Sequence, residues 1–199
     1  MLKIRNDEAF TGLEAAIVLI AFVVVAAVFS YVVLGAGFFT TQKSQEVVYT
    51  SVDQASSSVE ILGDVYGLAT DTTHGLDRIR FTVGLTAGGS AVDFNQTTLT
   101  FSDDNTVQKL TRQAGHVIGD ADASLTDYNW AVVLAKNNDS SDLLLEDQEQ
   151  FTIVAKLKDD TTNVAANDEF TLSLRPAVGT AYSITRSAPS RIETVNVLY

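Results

Sequence analysis

The sequence predicts an α+β protein: a long N-terminal hydrophobic α-helix followed by an immunoglobulin-like antiparallel β-sandwich. Three observations predict it. Ala15 to Phe39 is a run of 25 residues without a charge or a proline. As a helix it extends ~38 Å at about 1.5 Å per residue, more than the roughly 30 Å hydrocarbon core of a bilayer. No proline occurs before Pro176, and between Leu13 and Glu60 only Gly35 and Gly37 weaken a continuous helix. Beyond residue 61 the chain changes to short runs of alternating apolar and polar residues separated by Gly, Asn, Asp and Ser, the pattern of half-buried strands.

Composition narrows the function classes. The chain has 199 residues, enough for one sizeable domain beside the apolar segment. Asp and Glu number 25 against 13 Lys and Arg, for a net charge of −12. Nucleic-acid binding calls for clustered basic residues, and here those residues are scattered along the sequence, so no nucleic-acid partner is expected. There are no cysteines, which excludes disulfides, thiolate metal sites and a cysteine nucleophile. The two histidines, His74 and His116, lie in segments rich in Gly, Asp and Thr and read as loop residues.

The first element, residues 1–9, is a short charged leader, MLKIRNDEA. In a secretory signal the small-residue cleavage site follows the apolar stretch. Here the order is reversed: the small residue Ala9 precedes the run, and no Ala-x-Ala exit closes it between Leu34 and Phe39. A cut after Ala9 leaves the run in the mature protein. Without a cut, the segment is a single-pass anchor whose Lys3 and Arg5 hold the leader in the cytoplasm by the positive-inside rule. Glu14 is the one carboxylate at the start of the run. A charge inside a hydrocarbon-length segment costs several kcal/mol and is normally retained for a partner or a pathway.

The second element, residues 10–60, is one helix of two characters. Its first half carries Val, Ile, Leu, Phe and Ala on every face, so lipid or other helices must surround it. Its second half has one apolar edge, with Val48, Val52, Ala55 and Val59 at spacings of 4, 3 and 4. The third element, residues 61–199, is the β-domain. Ile79, Phe81, Val83 and Leu85 alternate with polar residues or Gly, as do Leu99 and Phe101. Trp130, Val132 and Leu134 repeat the pattern, followed by Phe151, Ile153, Ala155 and Leu157, and by Phe170, Leu172 and Leu174. Tyr182 with Ile184, then Val195, Val197 and Tyr199, complete it. Seven or more such strands point to a sandwich.

Two stretches carry a family resemblance. Ala9-Phe10-Thr11-Gly12-Leu13-Glu14 resembles the processing site of type IV pilins, a class III signal cut by a dedicated membrane peptidase before a new N-terminal Phe, with Glu fifth. The following GLEAAIVLIAFVVVAAVFSYVVLGAGFFTTQKSQE is similar to the N-terminal helix of archaellins, the subunits of the archaeal swimming filament, and residues 170–189 resemble their C-terminal domain. The resemblance implies a precursor held in the cytoplasmic membrane and a cut between Ala9 and Phe10 by a prepilin-type signal peptidase. It then implies a homo-oligomeric helical filament on the cell surface, joined where present by related archaellins. The pilin pattern further implies that Glu14 pairs with the amino group freed on Phe10 and sets helix register. Many archaellins carry Gly where Glu14 stands.

Two N-x-S/T sequons, Asn95-Gln96-Thr97 and Asn138-Asp139-Ser140, are expected glycan acceptors on an exported domain. The acidic loops Asp120-Ala121-Asp122 and Asn137 to Asp142 lack EF-hand spacing and read as solvated turns. No metal and no cofactor are expected. Two further function classes compete with the swimming filament. One is an adhesive type IV pilin with the same leader and helix. The other is a membrane-tethered enzyme, against which stands the lack of a GxSxG elbow, a phosphate-binding loop or a His at metal-ligand spacing. No catalytic residue is assigned.

Overall fold

The computed structural model describes residues 6–56, 58–113, 125–138, 142–157 and 163–199. It separates into two compact units, Met1–Thr50 and Ser51–Tyr199. The helix α1 runs unbroken over Asn6–Ser56, 51 residues or ~77 Å. Valine is a mediocre helix former in water. In an apolar environment, however, every backbone N–H and C=O must be satisfied within the segment, and the helix does that. Where hydroxyls appear they follow the same rule: Thr40, Thr41, Ser44 and Thr50 donate to the carbonyls of Ala36, Gly37, Thr40 and Glu46, four residues back, at 2.6 to 2.9 Å. The first ion pair along the described helix, Lys43 to Glu46 at 2.7 Å, lies beyond the uncharged run.

The helix extends past the expected boundary at one end and stops short of it at the other. It already includes Asn6, inside the charged leader, and ends at Ser56 rather than residue 60. The reason for the early stop is strand pairing. Val59, Glu60 and Ile61 form β1 and sit opposite Leu85, Gly84 and Val83. Val59 is thereby buried instead of continuing the apolar edge of the helix.

The β-domain has eleven further strands: β2 (Val65–Leu68), β3 (Arg78–Leu85), β4 (Val92–Asp93), β5 (Thr98–Asp103), β6 (Val107–Arg112), β7 (Asn129–Lys136), β8 (Leu144–Leu145), β9 (Gln150–Lys156), β10 (Glu169–Arg175), β11 (Tyr182–Ser187) and β12 (Val195–Leu198). The hydrogen-bonded order is β11-β10-β5-β6-β7-β9-β3-β2-β12, with β1 also on β3; β4 and β8 form a separate two-stranded antiparallel pair. Every pairing is antiparallel except one. The start of β6 pairs antiparallel with β5, while its end, Thr111 and Arg112, runs parallel to Asn129 and Trp130 of β7. That strand carries the chain of hydrogen bonds from one layer to the other. The inward residues of β5, β10 and β11 (Leu99, Phe101, Phe170, Leu172, Leu174, Ile184) and those of β3, β7 and β9 (Ile79, Phe81, Val83, Trp130, Val132, Phe151, Ile153) form a single buried cluster. The expected sandwich is therefore present, mostly antiparallel with one parallel joint.

Phe94, between β4 and β5, sits at the centre of the aromatic packing. Its ring meets Trp130 at 6.4 Å and Phe151 at 5.4 Å, both edge to face. Gly67 on β2 is required by close approach: a Cβ there would lie 2.5 Å from Leu76 Cδ1 and 3.2 Å from Leu198 Cδ1. Asp77 is a buried carboxylate with complete partners, accepting from the Thr70 amide at 2.9 Å and the Thr70 hydroxyl at 2.7 Å, with Arg78 Nε at 3.4 Å. These bonds tie the β2 exit to the β3 start.

Expected inward positions on three strands are corrected. Leu134 is 56% exposed. A bulge between Val132 and Leu134 shifts the register against β9, so that Ala135 packs on the core in its place. On β12 the parity is reversed: Asn196 and Leu198 are buried, whereas Val195 is 52% and Tyr199 90% exposed. Asn196 goes inward because its side chain finds partners there. Its Nδ2 donates to Glu193 O at 2.6 Å and Gly67 O at 3.3 Å, and its Oδ1 accepts from Glu193 N at 2.9 Å. Tyr182 on β11, the other expected core tyrosine, is also exposed, while Ile184 is buried as expected.

Candidate assembly surface

The apolar half of α1 is exposed on every face. Ile17, Phe22, Phe29, Tyr31, Leu34 and Phe38 point in different directions around the helix axis, and each is 59 to 80% exposed. Between Leu13 and Phe39 seventeen large apolar side chains share this condition. At roughly 1.5 to 3 kcal/mol for each side chain buried, covering them is worth tens of kcal/mol. A folded domain is commonly stable by only ~5 to 15 kcal/mol. The surface must therefore be covered, by lipid or by other helices. Length and composition of the Gly12–Val52 stretch suffice to cross a membrane. Beyond Thr40 the apolar surface continues as Val47, Val48, Tyr49 and Val52, all exposed.

Gly35 and Gly37 belong to this surface. A Cβ added at either would meet nothing within 4 Å. Glycine inside a helix is less favourable than alanine by about 1 kcal/mol, and nothing within the described chain requires it at these two positions. Their small size matters only to a neighbour approaching from outside, in the manner of close helix packing in membranes.

The expected processing and register residues lie along one stretch of α1. Ala9 and Phe10 fall in its backbone path, and Glu14 stands four residues, about one helical turn, further along. The Glu14 side chain is exposed. Of the sequons, Asn95 and Gln96 are exposed in the turn after β4, but Thr97 is buried, its hydroxyl donating to Asp93 O at 2.9 Å. The Asp93 carboxylate accepts from the Asn95 amide N–H at 2.8 Å, which completes a fixed turn. Asn138 follows β7 and donates through Nδ2 to Asp142 O at 3.0 Å; Asp139 and Ser140 lie outside the described residues.

His74 closes a turn as a loop residue should. Its Nδ1 lies 2.9 Å from Asp71 Oδ2. The Thr73 backbone N–H, then its hydroxyl, then His74, stabilise the Asp71 carboxylate and lower its pKa to about 2. His116, Asp120 and Asp122 lie outside the described residues. Among the described residues no group of three or more His, Asp or Glu side chains could hold a metal ion. The outward residues of β12 escaped sequence reasoning as a surface feature. The signal that could have found them is Asn196, a residue with turn-forming capacity placed between two valines close behind Glu193.

A helix whose first half is apolar on every face, followed by a mostly antiparallel β-domain, defines a class of chain with a long apolar surface to be covered. Comparison with known proteins gives that class its family. The model of the archaeal-type flagellin family matches residues 9–186, and the chain belongs to that family. It is 40% identical to probable flagellin 1 of Archaeoglobus fulgidus over 201 residues, covering 98% of this chain and 97% of the relative. Among solved structures it is similar to the archaeal flagellum of Methanospirillum hungatei strain JF1, with a TM-score of 0.74, 33% identity, and coverage of 94% of this chain and 99% of that one. Flagellin FlaB1 of Methanocaldococcus jannaschii, 15% identical with a TM-score of 0.57, shares the fold over 70% of this chain and 95% of its own.

Proposed function

We propose that this chain is the structural subunit of an archaeal swimming filament and that it polymerises through α1. The observation that carries this reading is the all-round exposed apolar surface of Leu13 to Phe39, together with the flagellar filament to which the chain is similar. Heterologous contacts that do not close generate open helical fibres, and a helix apolar on every side supplies such contacts in all directions. The subunit performs no catalytic step and takes no cofactor. A deletion strain is expected to lose both filaments in electron micrographs and swimming in soft agar. Loss of surface attachment with intact swimming would instead support the adhesive pilin reading, which the flagellin relatives do not favour.

In the same reading the precursor sits in the cytoplasmic membrane until a prepilin-type signal peptidase cuts between Ala9 and Phe10. The small residue Ala9 directly before Phe10 and the apolar run that follows support this position. Because the bond to be cut lies within α1 (Asn6–Ser56), local unwinding must precede cleavage. Mass spectrometry of filament protein should find Phe10 as the first residue; an intact Met1 would refute both cleavage and the pilin-type pathway. The freed amino group then meets Glu14 of its own or a neighbouring copy. An ion pair in apolar surroundings contributes little net stability, but leaving one partner unpaired is costly, so the pair sets register. Glu14→Leu is expected to lower filament number per cell about tenfold, the equivalent of ~1.4 kcal/mol, with Glu14→Gln intermediate. Unchanged filament counts in Glu14→Leu would remove this role.

Asn95 and Asn138 are the proposed glycan positions. At Asn95 the sequon threonine must be read by the transferase, yet in the folded domain Thr97 is buried and its hydroxyl is committed to Asp93. Attachment at Asn95 therefore precedes folding of this turn. With membranes supplying transferase and lipid-linked oligosaccharide, purified folded protein should accept less than a tenth of the sugar that urea-unfolded protein accepts at Asn95, read by glycopeptide mass spectrometry. Equal transfer to both would overturn the order of events.

A further inference from the structure

We infer that the Tyr31 hydroxyl donates a hydrogen bond to a main-chain carbonyl that Gly35 or Gly37 leaves uncovered on α1 of a second copy of this chain. The inference rests on the filament reading and deepens it, since apolar side chains alone fill space without fixing which residues of two helices meet. Ser30 and Tyr31 are the only residues between Ala15 and Phe39 with a polar group on the side chain. Ser30 is short enough to bond a carbonyl of its own helix, as Thr40, Thr41, Ser44 and Thr50 do four residues back. Tyr31 is not. Its rigid ring carries the hydroxyl outward, and at 80% it is the most exposed of the large side chains between Leu13 and Phe39.

In the membrane the hydroxyl has partners. Counted from Ala15, about 20 residues cross the roughly 30 Å hydrocarbon core and end near Leu34. Tyr31 therefore lies close to the outer boundary, where tyrosine rings keep their hydroxyls among the headgroups. In the filament reading the same surface is covered by other helices. A buried hydroxyl without a partner is costly, so a neighbouring copy has to supply an acceptor. Phe29, Phe38 and Phe39 on the same stretch show that a ring without a hydroxyl serves where no such bond is made.

What a neighbouring run offers is backbone. On a helix a side chain lies beside the carbonyl four residues back, which is why the Thr40 hydroxyl reaches Ala36 O and the Thr41 hydroxyl reaches Gly37 O. Gly35 and Gly37 have no side chain to place there. The carbonyls of Tyr31 and Val33 thus keep their second lone pair open to a donor from outside, and a Cβ added at either glycine would meet nothing within 4 Å. Ring and gap lie four to six residues apart in the sequence, about 6 to 9 Å along the axis. Two copies running in the same direction with a small axial offset bring the ring of one into the gap of the other. Such a contact is heterologous and repeats from copy to copy without closing.

The test places a photoreactive benzophenone analogue of phenylalanine at Tyr31 in the full chain, expressed in cells that assemble filaments. Irradiated filaments should yield crosslinked dimers and higher ladders, with the crosslink mapped by mass spectrometry to residues 31–38 of another copy. Normal filaments that give no crosslink, or crosslinks only to lipid, glycan or a segment outside 31–38, overturn the inference and leave the filament reading intact. A parent strain without filaments overturns the filament reading itself. If the analogue hinders assembly, Tyr31→Phe decides, since it removes one hydroxyl and keeps the ring. Its sheared filaments should release subunits about fivefold faster than the parent at equal temperature, the equivalent of ~1 kcal/mol, with the far-ultraviolet circular dichroism of detergent-extracted subunits unchanged. In a chain carrying Gly35→Ala and Gly37→Ala, where the carbonyls are already covered, the same change should alter release less than twofold. Equal release from Tyr31→Phe and parent filaments, or a fivefold effect that persists in the alanine background, sinks the inference.

Discussion

A Val24→Asp chain is expected to leave cells without filaments. Val24 lies in the middle of the uncharged run and is 55% exposed on the isolated helix, so it becomes buried only when copies surround it. A carboxylate placed there without a partner costs several kcal/mol for each subunit added. Even ~3 kcal/mol corresponds to more than a hundredfold rise in the subunit concentration that sustains assembly. The expected readout is an absence of filaments in electron micrographs and of a swimming ring in soft agar. Immunoblots of the membrane fraction should still detect the subunit, because an Asp at the centre of a membrane helix costs about 2.5 to 3.5 kcal/mol on insertion scales and the remaining apolar residues outweigh that. Val24→Ile should assemble within twofold of the parent. Normal filaments from Val24→Asp would show that this part of α1 faces water in the assembled state.

The second large effect belongs to the β-domain. Phe94→Ala removes a fully buried ring that contacts Trp130 and Phe151 edge to face. Deleting a core phenylalanine costs ~3 to 5 kcal/mol through lost transfer energy and the cavity left behind, and aromatic pairs add ~0.5 to 1.5 kcal/mol. Followed by near-ultraviolet circular dichroism of the full chain in detergent, the β-domain should melt roughly 10 °C lower, at about 2 to 4 °C per kcal/mol for this size. The helical signal at low temperature should be unchanged, since α1 does not draw on this core for its hydrogen bonds. A loss below 3 °C would mean that the aromatic centre is not where the domain's cohesion lies.

The helix was legible because its signal is compositional. A 25-residue uncharged run reads the same whichever face is considered, and no tertiary context competes with it. The strands were legible in kind, since Phe81, Phe101, Phe170 and Leu172 alternate cleanly and are all buried. What alternation could not show was parity in strands with two credible faces. Leu134 was misplaced by a bulge, which needs the partner strand to be seen. Val195, Val197 and Tyr199 were misplaced because hydrophobicity favours burying them, whereas Asn196 is held inside by hydrogen bonds that depend on Gly67, far away in sequence. The helix end was misjudged for a related reason: Val59 suits a helical edge equally well until β3 offers it a strand partner. At the candidate site, the sequon at Asn95 was visible as letters, but the burial of Thr97 depends on the β4 turn.

The hydroxyls of Thr40, Thr41 and Ser44 have a mechanical meaning in a rotating fibre. Each donates its hydrogen bond to a carbonyl of its own helix, so this collar carries hydroxyl groups whose donors need no acceptor from any neighbour. It is indifferent to whether a methyl group or a water molecule lies against it. The border between dry and wet surroundings can therefore shift along the collar without stranding a hydroxyl donor.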